Sequence, residues 1–202
     1  MMTNTWIAIC DDVIGFYGIP TNTIKSFFEK RKELLRNVIL SEIRQGDFSR
    51  VNEDDMIAIC FRLLRDAMEG VAKNNLRLMA RLICGLDKKQ QLTATKFQYY
   101  SDALASLNEE EISFLASLYI EFKNNPLEEK EIMIKQNKVG NIEVICGLLR
   151  TGFFVPFLPK KGTILQASEM NLYLPSTKLK SLFSFFDWED IATYSCEGDK
   201  ER

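Results

Sequence analysis

The stretch that decides the fold runs from residue 97 to residue 122 and reads FQYYSDALASLNEEEISFLASLYIEF. Its large apolar residues recur at intervals of three and four in two runs: Phe97, Tyr100, Leu104 and Leu107, then Ile112, Leu115, Tyr119 and Phe122. This spacing places each run on one side of a helix. Between the runs, Asn108 and Glu111 have the spacing of a reciprocal capping box. The stretch therefore predicts two helices joined by a very short turn, as in a helical hairpin.

Helical periodicity continues toward the amino end of the sequence. Further helices are predicted at about 23–45, from Asn52 onward, and at about 72–86. The run Met56–Leu64 is apolar nearly all round, so the helix that contains it should be central. In the helix at 72–86, the residues expected to point inward are Leu76, Met79, Ile83 and Leu86. We expect a multi-helix bundle over residues 1–125.

The pattern changes in the last third of the sequence. Helices at about 127–137 and 142–149 precede a stop at Thr151-Gly152. Strand-like runs at 153–158 and 163–166 flank a turn at Pro159–Gly162, a third short strand is expected at 171–174, and a final helix runs from Pro175 through Phe186. This order of elements resembles part of a winged-helix unit. We predict a mainly α protein, with a winged-helix-like α+β unit over 126–186 packed on the bundle and an acidic, flexible tail over 187–202.

The composition argues against conventional catalysis. The chain has 202 residues, a net charge of −2 and no histidine. Without histidine, the commonest general base and the commonest metal ligand are missing, and histidine-dependent triads are excluded. Glycine-rich phosphate-binding loops are also absent from the sequence. We therefore predict a non-catalytic protein with no cofactor and no metal.

The cysteines and the apolar amino-terminal segment bear on location. The five cysteines are odd in number and widely spaced, without a CxxC motif, and four of them lie in apolar runs. They indicate buried thiols in a reducing compartment, and we expect a cytoplasmic protein. The segment Trp6–Ile19 is apolar but contains Asp11 and Asp12, and it is shorter than the ~20 residues of a membrane span. It is interpreted as a core helix, with a peripheral membrane helix as the alternative.

Four residues stand out as candidate contacts with a protein partner. Arg77 and Arg81 lie four residues apart, so they share one side of a helix and could bind a carboxylate, a phosphate or an acidic partner. Alternatively, they pair with acidic residues of a neighbouring helix, such as Asp66 or Glu69. Tyr99 and Phe114 lie off the main apolar stripes, and we expect them at a contact between two copies of the chain.

Charge is unevenly distributed near the carboxyl end. Residues 132–186 carry seven basic and two acidic residues, a net charge of +5, whereas residues 187–202 carry six acidic and two basic residues, a net charge of −4. If the winged-helix-like unit binds nucleic acid, we expect phosphate contacts from Lys160 and Lys161 at the wing tip and from Lys178 and Lys180 on the final helix. The alternative is that the unit serves only for packing or dimerisation.

Several short motifs in residues 70–185 resemble a known family. They are Asn75–Arg81, Leu107–Ile112, Leu148–Phe153 and Tyr173–Thr177. Together they resemble bacterial and phage proteins of the Abi-alpha type, although Lys180-Ser181 stands where that family usually has a glycine. The resemblance implies a bacterial or prophage origin and a role in phage defence, and it offers no catalytic residues to carry over to this chain. The sequence thus favours an interaction or regulatory protein; nucleic-acid binding and membrane association are the alternatives.

Overall fold

The computed structural model describes residues 22–43, 48–124, 134–135, 142–157, 172–189 and 191. These residues form the helices α1 (Asn22–Glu42), α2 (Glu53–Met68), α3 (Lys73–Lys88), α4 (Ala94–Ala105), α5 (Glu109–Asn124), α6 (Ile142–Arg150) and α7 (Thr177–Phe183). A 3-10 turn spans Phe48–Arg50, and three short strands are β1 (Ile134–Lys135), β2 (Phe154–Pro156) and β3 (Leu172–Pro175). The prediction of a mainly α fold with a small sheet is confirmed. The chain divides into two compact units, Met1–Ser106 and Leu107–Arg202.

Helix α3 is the centre of the first unit, where it packs against α1, α2 and α4. The four residues expected to point inward are fully buried: Leu76, Met79, Ile83 and Leu86. Helix α2 also packs against three helices, α1, α3 and α4, as expected of a central helix, but Phe61 in its apolar run is exposed. Among the described residues, the apolar run of α2 is therefore buried only in part.

The helices of the first unit begin and end where local chemistry favours it. The side chain of Asn52 accepts a hydrogen bond from Asp54 N at the start of α2, and Thr93 caps α4 in the same way. At the far ends of α2 and α3, the left-handed residues Gly70 (φ 95°) and Gln90 (φ 56°) turn the chain out of the helix. The amide after each of them bonds to the carbonyl five residues back, as in a Schellman motif.

The second unit combines helices with a three-stranded antiparallel sheet of order β1-β3-β2. In the register, Ile134 pairs with Tyr173, and Val155 pairs with Leu174. Helix α5 packs on α6 and begins with the predicted capping box, in which Asn108 N donates to Glu111 Oε2 (2.8 Å) and Glu111 N donates to Asn108 Oδ1 (2.8 Å). The carboxylate of Glu111 is buried against Gly147 of α6.

The structure differs from the sequence interpretation in three places. Strand β1 lies where a helix at 127–137 was predicted, because pairing with the distant strand β3 overrides local helix propensity. The division between the units follows Ser106 rather than residue 125, since α5 packs on α6; α4 and α5 thus belong to different units. Trp188 and Ile191 are buried, which the interpretation of 187–202 as a flexible tail did not anticipate. The predicted helix at Trp6–Ile19 lies outside the described residues.

Candidate functional site

Arg77 and Arg81 of α3 both reach Glu42 at the end of α1. Arg77 Nε lies 3.1 Å from Glu42 Oε1, and Arg81 Nε lies 2.9 Å from Glu42 Oε2. The spacing of four residues places both guanidinium groups on one side of α3, as the sequence indicated, and α1 supplies the carboxylate. The suggested partners Asp66 and Glu69 are wrong for this pair; both of these acids instead lie near Arg65. The geometry gives the two arginines a role in joining α1 to α3.

The same junction covers a buried thiol. Cys84 Sγ donates a hydrogen bond to the backbone oxygen of Glu42 (3.4 Å), and burial raises the pKa of Cys84 to about 11. A thiol with such a pKa stays protonated at neutral pH and is a poor nucleophile. Cys60 is buried as predicted, whereas Cys146 is exposed on α6, contrary to the interpretation of its apolar run.

A second charged cluster joins α2 to α4. Arg62 Nε bonds to the buried carboxylate of Asp66 (2.8 Å), and the opposite end of the same guanidinium bonds to Asp102 of α4 (2.5 Å). Burial raises the pKa of Asp66 above its ordinary value of 3.8, although the hydrogen bond and charge of Arg62 act in the other direction. The arginine is therefore fixed by two carboxylates, one inside the unit and one at its surface.

Two exposed aromatic side chains lie close in sequence to this ion pair. Phe61 precedes Arg62 on α2 and is 41% exposed, and Tyr99 lies one turn before Asp102 on α4 and is 55% exposed. The Tyr99 ring packs edge-on against the buried ring of Tyr100, with 5.0 Å between centroids. We call Phe61, Arg62, Tyr99 and Asp102 the Phe61–Tyr99 patch. The sequence singled out Tyr99 but missed Phe61, because an apolar run around a helix usually indicates burial.

Phe114, the other residue predicted at a subunit contact, belongs to the second unit. It is half-buried on α5, and its ring centroid lies 6.1 Å from that of Phe154 in β2. The two predicted contact residues thus lie in different units. Phe114 contributes to the packing of α5 beside the sheet, and Tyr99 presents the larger exposed surface.

The four lysines expected to contact nucleic acid have different surroundings. Lys160 and Lys161 lie outside the described residues. Lys178 Nζ donates to the backbone oxygen of Thr151 (3.1 Å) just beyond α6 and lies over the Phe153 ring at 5.4 Å from its centroid. Lys180 is exposed, but side chains two positions apart on a helix do not share a face. Lys178 therefore acts in the second unit as a cap for α6, and Lys180 faces solvent.

An aromatic cluster around Trp188 was not found from the sequence. Trp188 is fully buried, and its ring lies near those of Phe183 (5.5 Å) and Phe186 (5.1 Å). Phe183 in turn contacts Tyr119 and Phe122 of α5. The spacing of Phe185, Trp188 and Ile191, three residues apart, was the available signal. The acidic residues between them directed the interpretation toward a solvated tail.

In the part of the chain that the structure describes, no group of three His, Cys, Asp or Glu side chains could hold a metal ion. No described helix is long and apolar enough to cross a membrane. No protein-family model, curated protein or solved structure matches the chain. The resemblance to Abi-alpha proteins therefore stays a prediction.

Proposed function

We propose that the chain is a non-catalytic interaction protein that binds a second copy of itself through the Phe61–Tyr99 patch. The observation that carries this proposal is that two half-exposed aromatic side chains, Phe61 and Tyr99, lie on the two helices that the Arg62–Asp102 ion pair joins. Aromatic residues and arginine are the types most enriched at the energetic centres of protein interfaces. The proposal includes a cytoplasmic location, which the free thiols of Cys60, Cys84 and Cys146 support.

The patch is held in place before any partner arrives. Arg62 is fixed at both ends by carboxylates, and Tyr99 rests against the buried ring of Tyr100. Side chains that are already ordered lose little conformational entropy on binding. Such preorganisation favours a docking surface over a solvated face of long, mobile side chains.

Charge supports a second copy as the partner. Both signs occur on the exposed surface of α2 and α4, since Arg65, Glu69 and Asp102 are all exposed. A two-fold contact brings the same surface of each copy together, so basic side chains of one copy can face acidic side chains of the other. The net charge of −2 also gives little overall repulsion between copies.

Sedimentation velocity of the full chain over a range of concentrations tests this proposal. We expect the wild type to dimerise and a Phe61→Ser/Tyr99→Ser variant to dimerise at least about tenfold more weakly, as for loss of interface anchors. Val155→Ser removes a comparably exposed apolar side chain from the second unit and is the matched control. A wild type that stays monomeric at high micromolar concentration would contradict the proposal, as would a double variant that dimerises like the control.

Nucleic-acid binding by the second unit is the second candidate. It is supported by the order helix, strand, strand, helix in α6, β2, β3 and α7, which resembles a winged helix, and by the exposed Lys180. Replacing Lys160 and Lys161 by Ala should weaken binding about equally for all sequences and lower the slope against log salt by roughly two. No salt-sensitive gel shift, with or without residues 187–202, would contradict this candidate.

The biological setting and the membrane alternative rest on sequence alone. The resemblance to Abi-alpha proteins supports a place in phage or prophage biology, where self-association would serve regulation rather than turnover. Peripheral membrane association would use Trp6–Ile19, which lies outside the described residues. Flotation of the full chain with anionic vesicles tests it, since an amphipathic membrane helix should carry the chain to the vesicle layer.

A further inference from the structure

We use the name Trp188 segment for residues 187–189 and 191. This segment is held against the rest of the second unit by an apolar contact and a polar contact. The apolar contact is the Trp188 ring, which is nearly parallel to Phe186 (19°) and edge-on to Phe183 (75°). Phe183 carries the contact on to α5, with ring centroids 5.4 Å from Tyr119 and 5.7 Å from Phe122. The indole thus closes an aromatic cluster built by α5 and α7.

The polar contact is a clamp on both sides of the indole. Lys123 Nζ of α5 lies 3.3 Å from Asp187 Oδ2 and 2.8 Å from Glu189 Oε1. Asp187 also accepts a hydrogen bond from Glu189 N (2.9 Å), which folds the segment into a tight turn around Trp188. All three charged side chains are about half exposed, so salt in the solvent screens their attraction.

The buried indole N–H group of Trp188 weakens the attachment of the Trp188 segment. Trp188 Nε1 is buried and has no hydrogen-bond partner in the described part of the chain. Buried indole N–H groups usually find an acceptor, because leaving the donor unbonded forfeits the hydrogen bond that water supplied. Release of the segment would rehydrate this N–H group, which offsets part of the cost of exposing the ring.

We propose that the Trp188 segment is a releasable strap, which leaves α5 and α7 while the rest of the second unit stays folded. Release uncovers the ring of Phe183, which the Trp188 ring contacts in the closed state and which also contacts Tyr119 and Phe122 of α5. The opening is favoured by the unbonded indole N–H and by a clamp that lies in solvent. It is opposed mainly by the burial of two apolar side chains, Trp188 and Ile191.

Hydrogen exchange of the full chain, followed by mass spectrometry, tests the strap. Lys123→Ala should speed exchange of peptides covering 186–191 by roughly three- to tenfold, the range expected for loss of exposed ion pairs. Peptides from α6 should exchange as in the wild type. Lys180→Ala removes an exposed lysine from α7 of the same unit and should leave 186–191 unchanged.

Salt provides a second measurement that needs no substitution. Raising sodium chloride from about 0.01 M to about 1 M shortens the Debye length from about 30 Å to about 3 Å, and should speed exchange of 186–191 in the wild type but hardly in Lys123→Ala. The proposal is overturned if 186–191 always exchange together with α6, since the segment would then open only by unfolding of the unit. It is also overturned if neither salt nor Lys123→Ala changes their exchange.

Discussion

Among the described residues, each of the two units buries one carboxylate, and the two are held by different chemistry. In the first unit, Asp66 is paired with the guanidinium of Arg62, which also reaches Asp102. In the second unit, Glu111 accepts a hydrogen bond from the backbone of Asn108 and lies against Gly147. The first arrangement depends on charge between side chains. The second depends on backbone donors and on the absence of a side chain at Gly147.

The same contrast extends beyond these two carboxylates. In the first unit, Glu42 joins α1 to Arg77 and Arg81 of α3, again by charge between side chains. In the second unit, Lys178 and Ser176 bind the backbone oxygens of Thr151 and Gly152 at the end of α6. Exceptions exist in both, such as the bond from Asn75 to the Leu104 oxygen and the Lys123 clamp. The first unit should therefore lose stability mainly when a charged side chain is removed, and the second mainly when volume is added beside a buried group.

The largest expected effect is that of Gly147→Ala. A Cβ built on Gly147 overlaps the carboxylate of Glu111. The Glu111 side chain must therefore move, and its hydrogen bond with Asn108 N in the capping box is lost. We expect the second unit to lose about 3 kcal/mol, from overpacking together with a lost buried hydrogen bond. Chemical denaturation measures the loss in the free energy of unfolding, and hydrogen exchange of peptides from α5 and α6 shows that the loss lies in the second unit.

Two matched variants isolate the cause. Gly152→Ala also adds a methyl group beside α6, but into open space, and its left-handed φ of 73° should cost about 1 kcal/mol. Adding Glu111→Ala to Gly147→Ala removes the overlap, so the double variant should be more stable than the sum of the single losses predicts. Strict additivity would show that the contact between Gly147 and Glu111 does not limit the substitution.

Arg62→Ala comes next in size. It leaves the buried carboxylate of Asp66 with Arg65 alone, whose Nε lies 3.8 Å away. We expect a loss of about 2 kcal/mol from the first unit, because an uncompensated buried charge is strongly unfavourable. Arg65→Ala is the control and should cost about 0.5 kcal/mol, since Arg65 is exposed. Equal losses for the two variants would contradict the central role of Arg62.

The sequence predicted those parts of the fold that depend on neighbours along the chain. The inward residues of α3, the Asn108–Glu111 capping box and the helix stop at Gly152 all follow from spacing within one or two turns. Strand β1 was missed because two residues gain their conformation from pairing with a strand nearly forty positions away, Ile134 with Tyr173. The unit boundary was misplaced for the same reason, since the contact between α5 and α6 has no local signal.

The candidate sites show the same limit. The spacing of Arg77 and Arg81 predicted a shared face, but Glu42 lies on another helix, and only the packing of α1 on α3 identifies it. Phe61 lies in an apolar run that predicted a central helix, yet its side chain is 41% exposed among the described residues. The exposure of Tyr99 followed from its position off the apolar stripe.

Replacing lysines on α7 separates a structural role from a solvent-exposed one. Lys178→Ala removes a charged donor from the Thr151 oxygen at the negative end of α6, and we expect a loss of about 1 kcal/mol from the second unit. Lys180→Ala should change stability by no more than about 0.5 kcal/mol. Thermal unfolding of the two variants side by side measures the difference. A larger effect at Lys180 would contradict the assignment of Lys178 as the cap.

The smallest expected effect is on the pH dependence of stability. On acidification, the contribution of Asp66 to the stability of the first unit should rise, whereas the contribution of Asp187 to the second unit should fall. Burial raises the pKa of Asp66, so its carboxyl group favours folding in the protonated form, and stability of the first unit falls as pH rises from 3.8 through the raised value. The hydrogen bond from Glu189 N lowers the pKa of Asp187, as does Lys123. Its contribution to the second unit is therefore present above pH 3.8 and is lost as pH falls through the lowered value.

Hydrogen exchange measured between about pH 3 and about pH 5 tests this difference. The free energy of opening of each unit should change with pH by less than about 1.4 kcal/mol per pH unit, the limit for one titrating group. Asp66→Asn should flatten the pH dependence of hydrogen exchange in α2 and α4 and leave that of residues 186–191 unchanged. Asp187→Asn should flatten the pH dependence of exchange in 186–191 and leave that of α2 and α4 unchanged. Because Asp187 is about half exposed, solvent screening should make its slope the shallower of the two. If both substitutions changed the pH dependence in the same direction, the two carboxyl groups would not sit in the contrasting environments that the structure gives them. Protonation removes the cost of burying a charge at Asp66, whereas protonation of Asp187 weakens its hold on Lys123.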